Sequence, residues 1–591
     1  MRPLYPLVCL LMAFSRPALA QVKNPDTMTE LTIADADTLD AAWQYDTGSA
    51  EAILNIYEPL FWFKGSSLTK LVPLLASKVP SRANGLISRD GRVYTIPIRK
   101  AVHFQDGSLM TPEDVRYSLM RFMLQDRDGG PASLLLQPLV GYNSTRDASG
   151  KLKPNAYRDA ARAVQVKGDA VVLRLPKPYA PLLSILAQWG LVVSRSWAAQ
   201  HGDWDGSEAT WQKFNNPEKQ ATAFYEQADG TGPFKLERWD RANHEIVLER
   251  FDDYWRGPAK LKRAIIKSVP EFGTRKLLLQ AGDADVIYAS ELQYKEVAGL
   301  PGVRIIENQS SVEMNPVVYF TFKINPVGNP YIGSGRLDGD GIPPDFFSDK
   351  NVRLGFADSM DYAGFIRDVL RGHGTQATGC IPVTLPGHNP RQKTFHLDLA
   401  AAKEHFQKAW DGKVWKEGFR FTILYNQGNN EREVIAEILK RNVEGLNPKF
   451  HVDVRPVEWP QFLDGYNASK LPIFTMGWHA DYPDPHDFAF PNMHSQGSYP
   501  LAQHYSNPKA DRLIDEAIAS TKAARRRKLY FELQRIEHED CPHLLIVDAV
   551  HFRTQRDWVR GWTNMPIFPD DPYGSYFYQL WKAPAAKRER R

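Results

Sequence analysis

Val102-His103-Phe104-Gln105-Asp106-Gly107, followed by Thr111-Pro112-Glu113-Asp114-Val115, leads from a turn into a helix and decides the fold class. Thr111 is a good helix N-cap, Pro112 suits the first helical position, and the two acids face the positive helix end. Val115, Leu119, Phe122 and Met123 then recur at helical spacing and predict one buried stripe. Working outward, Val434, Ile435, Ile438 and Leu439 form a second stripe before Gly445, and Leu513, Ile514, Ala517 and Ile518 form a third. Such stripes read as core. Short β-rich runs at 93–98, 170–175, 245–249 and 451–454 alternate with the helical segments, so the class is α/β. Residues 126–153 and 325–348, rich in Gly, Pro and small polar residues, read as long loops.

The 591 residues are too many for one ordinary domain. Hydrophobic residues at 43% and charged residues at 24% exclude a disordered chain and a multi-span membrane protein. Three cysteines exclude a disulfide framework. Arg2, the apolar residues 4–14 and Ala18-Leu19-Ala20 have the order of a cleaved export signal over residues 1–20. The apolar stretch is shorter than the roughly 20 residues that span a bilayer. Cys9 lacks the small residues that precede a lipidated cysteine, so no lipoprotein is expected. Cys380 and Cys541 remain after cleavage, and they either pair or stay buried thiols. The net charge of +4 is too small to argue for nucleic acid. It comes from the signal and from residues 582–591, which read as a solvated basic tail; the body is slightly acidic. Aromatics at 12%, with 15 Trp and 24 Tyr, predict broad apolar contact surfaces.

Gly477-Trp478-His479-Ala480-Asp481-Tyr482-Pro483-Asp484-Pro485-His486-Asp487 is the densest chemical cluster. Its acids and histidines could suit a divalent ion, but Pro483 and Pro485 prevent a helical His pair and the spacing matches no zinc pattern. No metal is assigned. The apolar residues 471–476 before it read as a buried strand, and a carboxylate after such a strand, beside aromatics, fits a pocket that receives a cation. No Gly-x-Ser-x-Gly, His-Glu-x-x-His or phosphate-loop motif occurs, and no nucleophile–base pair stands out. The chain is read as a non-enzyme without a cofactor.

Five segments, in order, resemble the extracytoplasmic solute-binding proteins of ABC importers, in the oligopeptide/dipeptide/nickel-binding group. They are Asn55-Ile56-Tyr57-Glu58-Pro59-Leu60-Phe61, the opening stretch, Gly230-Thr231-Gly232-Pro233-Phe234, Asn351-Val352-Arg353 with Met360-Asp361, and Gly477 to Pro485. The resemblance covers nearly the whole chain after the signal. It implies a periplasmic binding protein type II-like α/β fold, with two ligand-clamping lobes built on mixed sheets and an extra domain. The first lobe is placed at 21–58, 195–312 and 553–591, the last piece carrying the basic tail. The extra domain is placed at 59–194 and the second lobe at 313–552.

The resemblance also implies a site. Asp481 matches an aspartate that pairs with a peptide's α-ammonium. Gly477 and His479 match positions whose backbone pairs with the peptide main chain. Trp478 matches an aromatic near the site, with hinge-side core as its other reading. Tyr482 belongs to the same segment, and Tyr45-Asp46-Thr47 is the expected first-lobe loop. Tyr57 and Glu58 are expected to hold the first lobe together. His479 and His486 either line the pocket or face solvent. Thr475-Met476 stand where relatives carry an arginine for the peptide carboxylate, so another basic residue serves or that end is uncharged. The expected function is a periplasmic, monomeric protein that captures a peptide or similar amine-bearing solute and delivers it to ABC permease subunits. A nickel-chelate, haem, sugar or opine is the alternative solute, and a secreted metal-dependent hydrolase the alternative class.

Overall fold

The computed structural model describes residues 22–33, 35–147, 149–427, 429–457, 459–568 and 574–584; the expected signal, with Cys9, lies outside the described residues. The helix opened by Thr111 runs Pro112–Gln125, and the Thr111 backbone N–H donates to the Asp114 carboxylate at 2.9 Å. Val115, Leu119, Phe122 and Met123 are all buried. The other two stripes lie on helices Asn430–Glu444 and Pro508–Ala519, with Ile435, Leu439, Ile514, Ala517 and Ile518 innermost. The β-rich runs become strands Val93–Pro97, Ala170–Arg174, Glu245–Arg250 and Phe450–Val457.

Two large mixed sheets organise the molecule. The first orders its strands Val303–Ser310, Asp548–Arg556, Val286–Ile287, Thr27–Thr32, Arg263–Ser268, Glu245–Arg250 and Phe234–Asp240. Thr27–Thr32 runs parallel to both neighbours, while the outer pairs are antiparallel. The second sheet orders Phe450–Val457, Phe419–Asn426, Ile473–His479, Glu313–Phe320 and His543–Leu545. A three-stranded antiparallel sheet joins Val93–Pro97, Ala170–Arg174 and Val164–Lys167. The chain passes between the two large sheets through residues 311–312 and again through residues 546–547. The second sheet has its own core, in which Phe346, Phe347, Phe356, Phe406, Phe419 and Phe450 are fully buried or nearly so.

Three readings change. Residues 126–153 are not all loop: Ser133–Val140 is a helix, because Leu135, Leu136 and Leu139 bury against the main core. Residues 325–348 are pinched by a Gly333–Gly341 bridge, and Ile332, Ile342, Phe346 and Phe347 plug the second core. Lys582, placed in a solvated tail, is buried instead. Its Nζ lies 2.6 Å from the Asp285 carboxylate, and both side chains are 2% exposed. Asp285 also accepts from Trp558 Nε1 at 2.7 Å, and Trp581–Lys582 pairs as a strand with Val559–Arg560.

Arg121, on the helix opened by Thr111, is buried between Asp40 and Asp203, at 2.6 Å and 2.7 Å. This charge network ties three distant chain segments into one body. Glu58 is also buried and accepts from Tyr254, Trp255 and Thr231, which fixes the turn after helix Thr47–Ile56. Cys380 and Cys541 are buried and free. Among the described residues no helix is long and apolar enough to cross a membrane.

Candidate functional site

A cavity of about 260 Å³ opens between residues 44–54 with 188–191 on one side and the end of strand Ile473–His479 on the other. Tyr45, Asp46, Thr47, Gly477, Trp478, His479 and Asp481 all line it. The structure therefore gathers seven of the eight residues singled out in the sequence. Tyr482 is the exception. It is buried away from the cavity, and its hydroxyl lies 2.9 Å from His486 Nδ1.

Each wall has a local cause. Asp46 caps helix Thr47–Ile56 by accepting from the Ser49 N–H at 2.7 Å, which sets the Tyr45 side chain at the cavity rim. On the opposite wall, Gly477 is required by close approach: a Cβ there would stand 2.3 Å from the Asn315 side chain. Strand Ile473–His479 pairs with Glu313–Phe320 along its length, but with Phe419–Asn426 only at Ile473 and Phe474. Among the described residues, then, 475–479 have one edge on which no strand lies. The Gly477 carbonyl on this strand accepts from the Tyr499 hydroxyl at 2.7 Å.

Asp481 is the chemical centre. Tyr45 donates to its carboxylate at 2.7 Å, and Trp189 Nε1 donates to its carbonyl at 2.6 Å. Its own N–H donates to the buried Asp487 carboxylate at 2.7 Å. Among the described residues no basic group pairs with Asp481 or Asp487. Burial pushes the Asp481 carboxyl up to about 7, against the lowering effect of the Tyr45 hydrogen bond. Burial and the neighbouring Asp481 charge push Asp487 up as well. Two neighbouring carboxyls, Asp487 buried and Asp481 half-buried at the cavity, form a site that gains from an incoming cation.

The histidines divide. His479 lines the cavity, 3.4 Å from Glu313. Burial raises the Glu313 carboxyl, but His551 and His479 outweigh it and bring the group down to about 2. His486 turns inward, and burial lowers it to about 4. Among the described residues no group of three or more His, Cys, Asp and Glu is arranged to hold a metal ion. The cluster at 477–487 thus resolves into a cavity wall and a buried turn, with Asp484 bound to Arg526.

The sequence reading missed Trp189, Gln188 and Leu191, which line the same cavity from the end of helix Leu182–Gln188. The available signal was Gln188-Trp189-Gly190 closing an apolar run: an amide and an indole N–H at a helix end. It also missed Arg432. This partly buried guanidinium donates to Asn426 at 2.8 Å and reaches Asn315 at 3.5 Å, beside the open strand edge. Arg432 forms no ion pair among the described residues, its Nε has no partner, and burial lowers its pKa.

With this geometry in hand, comparison with known proteins is direct. Residues 70–500 match the family described as bacterial extracellular solute-binding proteins, family 5 Middle. The chain is 25% identical over 532 residues to heme-binding protein A of Haemophilus influenzae, covering 88% of this chain and 86% of that one. It is 24% identical over 534 residues to the dipeptide-binding protein of Escherichia coli, covering 88% of each. Among solved structures, the periplasmic binding protein DppA from Helicobacter pylori in complex with the peptide STSA superposes with a TM-score of 0.71 at 20% identity, covering 94% of this chain and 98% of that one. NikZ from Campylobacter jejuni in complex with Ni(L-His) gives 0.67 at 17% identity, covering 94% and 100%. The two superpositions show the two-lobe α/β fold that the motifs imply. The match over residues 70–500 establishes that this chain belongs to the family 5 bacterial extracellular solute-binding proteins.

Proposed function

We propose that the protein is the solute-capturing component of an ABC importer, working outside the cytoplasmic membrane as a monomer that hands a peptide or similar amine-bearing solute to the permease. The observation that carries this reading is the Asp481 carboxylate, which lines the cavity and has no basic side chain paired with it among the described residues. An α-ammonium supplies the missing charge. The open edge at 475–479 offers main-chain pairing, and Arg432 beside it favours an acidic group on the solute. The relatives support the solute class: a dipeptide-binding protein and a peptide complex are among them. The export signal at 1–20 and the lobe division read from the sequence, with its return to the first lobe at 553, belong to the same proposal; the two passages of the chain between the large sheets, at 311–312 and 546–547, support it.

A non-peptide solute in the same cleft is the second reading, favoured by the named heme-binding relative and by the nickel–histidine complex. Mass spectrometry of the solute retained through purification separates the two. Calorimetry then tests the contact itself. Alanyl-alanine should bind roughly 30-fold or more tighter than its N-acetyl form. Equal binding of the two would remove the ammonium from the argument.

A further inference from the structure

A second chamber, of about 380 Å³, adjoins the cleft and shares Leu54 and Phe568 with it. The first cavity alone falls below the ~300–1,000 Å³ typical of small-molecule sites, whereas the two together fall within it. The second chamber differs in chemistry. Its lining contains no carboxylate, two basic residues, Lys64 and Arg256, and six aromatic residues. Trp62 stacks on Phe568 at 5.5 Å with 14° between the planes, and lies 5.3 Å from Tyr576. Arg256 stands at the chamber with its guanidinium 4.8 Å over the Tyr578 ring, and forms no ion pair among the described residues. Half-buried rings beside a guanidinium that already lies over one ring, and has no carboxylate in ion-pair contact, recognise another π face, by stacking and by cation–π attraction.

The geometry points to an aromatic-selective subsite: this chamber takes an aromatic side chain of the solute whose amine is held at Asp481. The inference rests on the proposed function for the identity of the solute, and on Leu54 and Phe568, which line both chambers, for their adjacency. The selected solute is therefore a peptide-like amine with an aromatic group beyond its first residue.

Two probes test the chamber and the amine site separately. N-acetyltryptophanamide carries an indole and no amine, and N-acetylleucinamide is its aliphatic counterpart; both are titrated by ligand-observed NMR. The tryptophan amide should bind about tenfold tighter than the leucine amide. Trp62→Ala and the exposed Arg256→Gln should each remove most of that preference, while Asp481→Asn keeps it. Equal binding of the two amides, or a preference untouched by both chamber variants, overturns the subsite. If Trp62→Ala does not fold, Arg256→Gln decides. Calorimetry with Ala-Ala-Ala and Ala-Ala-Trp completes the test. Peptides that bind without an aromatic preference overturn the subsite and leave the proposed function standing. An aromatic preference for the amides, with no binding of any free-amine peptide, does the reverse.

Discussion

Asp40 and Asp203 share Arg121, whereas among the described residues Asp481 and Asp487 share no basic side chain. Asp40, Asp203 and Asp487 are buried, and Asp481 is half-buried at the cavity. In the first pair, the protein supplies the compensating charge itself, and the result is a closed structural joint between distant segments. In the second it supplies a tyrosine hydroxyl, an indole and backbone groups, and the proposed function assigns the compensating charge to the solute. Burial of a carboxylate therefore says little about function; what remains uncompensated beside a cavity says much more.

The comparison can be broken most forcefully at the joint. Arg121→Met leaves two buried carboxylates unpaired and should cost about 3–5 kcal/mol in denaturant unfolding. A variant as stable as wild type would mean that the joint is not structural. Next, Asp481→Asn should weaken an amine-bearing peptide by roughly 2–5 kcal/mol in calorimetry, with the circular dichroism spectrum unchanged. An unchanged affinity would place the site elsewhere.

Acidity sharpens the contrast. The carboxyl of Asp481 in the empty cleft lies at about 7, and a bound ammonium lowers it, so the complex holds fewer protons than the empty protein. Peptide affinity should accordingly fall below pH 7, by up to about tenfold per pH unit. A flat profile from pH 5.5 to 8 would contradict the site. The stability of the empty protein runs the other way. Because the folded carboxyl lies above its unfolded value of 3.8, its stabilising contribution is present at low pH and lost as pH rises through about 7. At pH 8, Asp481→Asn should then be ~1–2 kcal/mol more stable than wild type, a figure kept low because the cavity admits solvent. The smallest effect belongs to Trp189→Phe. It removes one hydrogen bond to the Asp481 carbonyl and should cost about 0.5–1.5 kcal/mol of peptide affinity.

Much of this was legible in the sequence because it is local. The Thr111 cap, the stripe behind it and the apolar run before Gly477 each announce an element within a dozen residues. Tyr45 and Asp481 could be named because their segments carry recognisable motifs. Trp189 and Arg432 could not. Neither belongs to a motif, and each acquires its role only when the sheets bring it beside the cleft. Lys582 misled for a related reason. Read with its basic neighbours it is tail, and only the fold reveals Asp285 as its partner. The aromatic excess divides the same way: the phenylalanines of the second core are packing, while Tyr45, Trp189 and Trp478 line the cavity.

The strand order also separates a sheet made from one stretch of chain from a sheet made from its two ends. The second sheet takes its five strands from one continuous stretch, between Glu313 and Leu545. The first needs Thr27–Thr32 from the beginning of the chain and Asp548–Arg556 from near its end. The sheet whose strand Ile473–His479 leads into Asp481 therefore needs nothing from either end of the chain, whereas the other large sheet is complete only when its first and last strands, more than 500 residues apart, have met.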